Sequence, residues 1–123
     1  MIVIGIDPGA SGAIAIWDKG IKHINKCPKE VTKMADIVSI VKDKDTVAYI
    51  EQVHAFPTDG RSSAFKFGAN YGKWLGVLGA YKIETKLVTP QKWMKYWQNK
   101  LKIKLPKDKP NRKRTLKEIA SHY

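Results

Sequence analysis

Two acidic residues stand where a sequence seldom leaves them. Asp7 follows the apolar run IVIGI, and Glu51 follows TVAYI. Each run is apolar and β-rich enough to be a buried strand, so each carboxylate sits at the end of a core element and is partly desolvated. Two such carboxylates brought close repel unless a proton or a cation lies between them. Hard oxygen donors at a sheet edge suit Mg²⁺, which keeps several waters and accepts phosphate oxygens as further ligands. Plainer roles are open to both. Asp7 before Pro8-Gly9 can cap a turn, and Glu51 can meet a surface lysine. His23 and His122 have no ligand-type neighbours in the pattern, and Cys27 reads as a small packed side chain closing a strand.

The elements that must position these acids follow from the hydropathy pattern. Residues 2–7 form a strand meeting a turn at Asp-Pro-Gly, and Ser11-Gly12 ends that turn. AIAIWD alternates as a second strand, Lys19-Gly20 makes a two-residue turn, and IKHINKC is a third strand. Glu30 to Lys42 carries Val31, Met34, Ile37, Val38 and Val41 at helical spacing. Residues 46–51 are a mostly apolar, hence central, fourth strand. A loop over 53–61 leads to a long helix, capped by Ser62 or Ser63 and running to about Tyr81. Residues 82–88 form a fifth strand. Thr89 and Pro90 pattern as cap and first-turn proline of a short helix in which Trp93 and Trp97 share a core-facing side. A Lys- and Pro-rich loop over 99–110 precedes a last helix from Asn111 to Ser121. The order predicts a single α/β domain over residues 1–123, a mixed five-stranded sheet flanked by helices.

The charge is lopsided. The chain has 123 residues and a net charge of +12. Residues 1–60 hold seven lysines and eight acids, and residues 61–123 hold sixteen basic residues and three acids. Between Lys92 and Lys117 eleven basic residues face Asp108 alone. Such a block attracts a polyanion through counterion release. No apolar run approaches the ~20 residues of a membrane span. One cysteine excludes a disulfide scaffold and a thiolate zinc site. The chain reads as soluble and intracellular.

Taken in order, GIDPG at 5–9, Ser11-Gly12, IEQV at 50–53, a Gly-rich helix and VTPQKW at 88–93 resemble the RuvC-type Holliday-junction resolvases over essentially the whole chain. The resemblance implies a ribonuclease-H-like fold, a homodimer, and cutting of four-way DNA junctions with Mg²⁺ or Mn²⁺. It implies a cytoplasmic protein of a bacterial cell, phage-encoded or bacterial. Asp7 would be the first metal ligand and catalytic acid, and Glu51 the second. The family's remaining acids lie on a final helix in an Asp-Ala-rich motif, which none of Asp59, Glu84, Asp108 and Glu118 matches. The expectation is a C-terminally truncated resolvase of impaired activity.

Other residues take roles on the same footing. Gly68, Gly72 and Gly76 line one helical stripe, which serves either tight packing on the sheet or, as the resemblance suggests, a dimer seam. His54 and Phe56 follow the second acid, where the family places an aromatic wedge; Phe56 can equally anchor its loop. Arg61, Lys66 and Lys73 can meet phosphates, as can Lys107, Lys109, Arg112, Lys113 and Arg114 in the basic segment. Two alternatives stand beside the nuclease reading. One is a non-catalytic branched-DNA-binding protein on the same fold. The other is an actin-like or sugar-kinase ATPase half-domain, suggested by GIDPGASG but disfavoured by length. No nucleotide cofactor is expected, because no GKS or GKT follows a strand.

Overall fold

The computed structural model describes residues 1–9, 11–52 and 60–122. The chain divides into two compact units, Met1–Thr89 and Pro90–Tyr123.

The first unit is built on three meandering strands, β1 (Ile2–Ile6), β2 (Ala13–Asp18) and β3 (Ile21–Lys26). Lys19 and Gly20 both take positive φ, 48° and 84°, which gives the β2–β3 turn a twist matching the flanking strands. Helix α1 (Val31–Ser39), β4 (Thr46–Glu51), α2 (Arg61–Ala80) and β5 (Glu84–Val88) follow. The sheet order is β3-β2-β1-β4-β5. β1 runs antiparallel to β2 and parallel to β4, and β4 runs parallel to β5. The mixed five-stranded sheet expected from the sequence is the one observed.

Alternation decides which side is core. Ile2, Ile4 and Ile6 of β1 point one way and are buried with Ile14, Ala48 and Ile50. Met34 and Val38 of α1 and Trp74, Val77 and Leu78 of α2 close over them. Removing each such side chain from water stabilises by about 1.5–3 kcal/mol. The opposite side of the sheet keeps Trp17 and Tyr49 exposed, with Lys22 over the Trp17 ring at 5.0 Å and Lys86 over the Tyr49 ring at 5.8 Å. β3 is an edge strand, and all six of its residues are exposed.

Several boundaries differ from expectation, each for a local reason. α1 ends at Ser39 rather than Lys42, and its chain turns over through Asp43 at φ 64°. α2 is entered from Gly60, so Ser62 and Ser63 lie inside the helix and do not cap it. At its other end Lys82 sits at φ 56°, with its N–H on the Gly79 carbonyl and the Ile83 N–H on the Leu78 carbonyl. That Schellman closure delays β5 until Glu84.

The second unit holds α3 (Pro90–Leu101) and α4 (Lys109–His122). Gln91, Met94 and Gln98 of α3 face Leu105, Pro106, Lys107 and Arg112 around a cavity of about 240 Å³. Gln98 Oε1 accepts the Leu105 N–H at 2.8 Å. α4 starts two residues before Asn111 because Asp108 Oδ2 takes the Asn111 N–H at 3.1 Å. That backbone hydrogen bond holds the Asp108 carboxyl below its ordinary pKa.

Candidate active site

Asp7 and Glu51 follow directly after paired residues of neighbouring parallel strands. Ile6 pairs with Ile50 across the parallel β1–β4 ladder. The paired ladder ends there, and Asp7 and Glu51 are the next residues along the two strands. By alternation along each strand, the two positions carry the parity of Gly5 and Tyr49. Both mark carboxyl ends of strands, where open α/β sheets form their binding crevices. Glu51 is half-buried and pairs with Val88 of β5.

The chain around Asp7 is tightly held. Its N–H donates to the Ala13 carbonyl at 2.9 Å, continuing the ladder to β2. Its Oδ1 accepts the Gly9 N–H at 3.1 Å, which fixes the carboxylate over its own turn. Its carbonyl accepts the Cys27 thiol at 3.3 Å, and the Cys27 N–H bonds the Gly12 carbonyl at 3.0 Å. Gly12 lies so close that a Cβ there would fall on the Asp7 carbonyl oxygen and within 2.9 Å of the Gly9 oxygen. Phe67 of α2 borders the turn, 3.5 Å from where a Gly9 Cβ would be. Burial pushes the Cys27 thiol up to about 11; the Asp7 charge adds to this, and a hydrogen bond with the Trp74 side chain opposes it. Cys27 thus does more than fill space, a role the sequence does not disclose.

The remaining described acids of the second half have other places. Glu84 opens β5 at the register of Val47, Asp108 caps α4, and Glu118 is exposed on α4. Asp59, His54 and Phe56 lie outside the described residues. Among the described residues no group of three His, Cys, Asp or Glu is placed to hold a metal ion.

The candidate phosphate contacts fall into two groups. Arg61, Lys66, Lys107, Lys109, Lys113 and Arg114 are exposed. Arg114 also bonds Asn111 Oδ1 at 2.8 Å. Lys73 Nζ donates to the Lys29 carbonyl at 3.2 Å, tying α2 to the segment before α1. Arg112 is half-buried and donates to the Lys107 carbonyl at 3.2 Å. Both therefore have structural work. Gly68, Gly72 and Gly76 are exposed, and a Cβ at each would meet open space. They do not pack on the sheet.

A meander continued by parallel strands in the order β3-β2-β1-β4-β5, with acids at the ends of β1 and β4, defines the ribonuclease-H-like α/β fold. Within that class the chain has the fold of RuvC. It matches Thermus thermophilus RuvC in complex with Holliday junction substrate with a TM-score of 0.53 and 17% identity, over 74% of this chain and 66% of that one. A second Thermus thermophilus RuvC structure matches at 20% identity and a TM-score of 0.49, over 73% and 64%. The chain thus spans less than two thirds of the length of either. No family model and no curated protein matches it. Among the described residues no helix is long and apolar enough to cross a membrane.

Proposed function

We propose that the chain is a divalent-metal-dependent, structure-selective endonuclease that acts on four-way DNA junctions as a homodimer. The observation that supports this is the placement of Asp7 and Glu51 directly after the paired Ile6 and Ile50, at the ends of neighbouring parallel strands. The fold likeness to a RuvC solved with a Holliday junction substrate supports it, as does the basic second half.

The donor set fits a hard cation: two carboxylates at adjacent strand ends, one fixed by the Gly9 N–H. Bound there, Mg²⁺ or Mn²⁺ would polarise the scissile phosphate and lower the pKa of an attacking water. Asp7 and Glu51 supply the charge that holds it. The Gly12–Cys27 contacts fix the backbone from which Asp7 projects. Arg61, Lys66 and the exposed lysines of 107–113 neutralise phosphates and position the DNA without reading sequence. The exposed glycine stripe of α2 offers the seam to a second copy, with Gly68, Gly72 and Gly76 letting backbones approach closely.

A second reading, branched-DNA binding without turnover, is favoured by the ligand count. Two carboxylates leave a divalent ion most of its shell in water, and each missing ligand removes charge and geometry together. Asp7→Asn and Glu51→Gln decide between them. On the nuclease reading, wild-type chain cuts a junction in Mg²⁺ and each variant loses ~100-fold or more, the scale of removing one charge-stabilising group, while junction binding persists. Binding with no metal-dependent cutting by wild type selects the second reading. Cutting that survives both substitutions overturns the site.

A further inference from the structure

Among the described residues of the second unit, the most exposed aromatic ring has no task in the chemistry above. Tyr96 is 57% exposed near the middle of α3. The cavity side of α3 is committed to Gln91, Met94 and Gln98. At 100° per residue Tyr96 projects from the other side, in one row with Lys92 and Lys100 at i−4 and i+4. Four residues advance the helix by ~6 Å, so a lysine stands one turn to each side of the ring. The ring is braced edge-on by Trp97, at 5.5 Å and 83°. Lys100 Nζ lies over the Tyr96 ring, 5.8 Å from its centroid, and over that of Trp97 at 5.2 Å, so a base stacking on that face of Tyr96 displaces the ammonium toward a phosphate. The unit around this row holds eleven Lys and Arg against two acids, Asp108 and Glu118.

We infer that Tyr96, flanked by Lys92 and Lys100, is a stacking platform for an unpaired nucleobase, through which the second unit holds single-stranded nucleic acid. An exposed aromatic ring has a good partner in another flat apolar face, and every base has one once it is unstacked. A paired duplex hides those faces and would find in Tyr96 only a minor contact. The flanking ammonium groups, on long flexible stems, settle on the phosphates either side of the stacked nucleotide. An anionic lipid surface is the rival for a Tyr–Lys row. It is disfavoured because the exposed side of α3 otherwise carries Lys95 and Asn99 rather than a broad apolar face. The inference shares with the nuclease reading only the choice of nucleic acid as partner.

The test is fluorescence anisotropy of the full chain with a short labelled single strand, a hairpin duplex of matching length, and anionic vesicles. Tyr96→Ala is expected to weaken single-strand binding by ~5- to 100-fold, the range for one stacked base, and duplex binding by less than about twofold. Tyr96→Phe retains the single-strand affinity, since the face rather than the hydroxyl is used. Lys92→Gln with Lys100→Gln lowers the salt slope for single strands by about 1.4, at 0.7 per phosphate contact. Circular dichroism confirms that the variants are folded. Equal losses on single strand and duplex, no loss on either, or a Tyr96 effect confined to vesicles overturns the inference. Junction cutting in Mg²⁺ is read separately on the wild-type chain, so failure of the nuclease reading is told apart from failure of this one.

Discussion

At the residue scale, Asp7 is held by hydrogen bonds to its backbone and its own turn. Gly9 donates to its carboxylate, Cys27 to its carbonyl, and Gly12 has no room to be anything else. Gly12→Ala is therefore expected to destabilise the chain by about 1–3 kcal/mol, as overpacking does. Urea unfolding measures it, and an unchanged midpoint would mean the turn relaxes freely. The candidacy of Asp7 and Glu51 was legible because each acid directly follows an apolar run. The clamp was not, because Cys27 and Gly12 reach Asp7 only once β2 and β3 have folded back. Lys73 misled for a similar reason: a lysine on a helix reads as solvated until the Lys29 carbonyl comes within reach of it.

At the element scale, the strands were legible to within two residues, because most of their runs alternate or are apolar. The helix ends were not. α2 and α3 both close on a lysine in the left-handed region, Lys82 at φ 56° and Lys102 at φ 54°, where glycine is the usual signal. A side chain costs about 1–2 kcal/mol there. Lys82→Gly is expected to stabilise the first unit by ~1 kcal/mol, seen as a higher urea midpoint at unchanged slope. A lower midpoint would show that the lysine stem makes packing contacts worth more than the strain. Asp108 hid the start of α4 in the opposite way, as a lone acid among lysines whose capping role appears only through the Asn111 N–H.

At the scale of the molecule, a Cβ on Gly68, Gly72 or Gly76 would meet nothing within 4 Å among the described residues. Glycines in an exposed helix face cost about 0.5–1 kcal/mol each relative to alanine. A homodimer built on that stripe predicts that Gly72→Leu shifts the wild-type dimer to monomer in sedimentation equilibrium, with the fold intact. A wild type that is monomeric at every concentration, and merely stabilised by Gly72→Ala, would remove the seam. The general fold was legible from element order, since three meandering strands followed by alternating helices and strands admit few topologies. The division into two compact units was not, because Thr89-Pro90 reads equally as a helix start inside one domain.

The exposed edge strand β3 has a consequence for handling as well as for folding. An unpaired strand edge is a template on which other chains can add, and here it carries Ile21 and Ile24 in the open, 60% and 68% exposed. Lys22 and Lys26 alternate with them and act as gatekeepers, repelling the same edge of another molecule. That guard is electrostatic, so it weakens as the Debye length shrinks from ~10 Å at 0.1 M salt to ~3 Å at 1 M. Salt used to strip bound nucleic acid from this protein would then also lower its barrier to edge-to-edge aggregation.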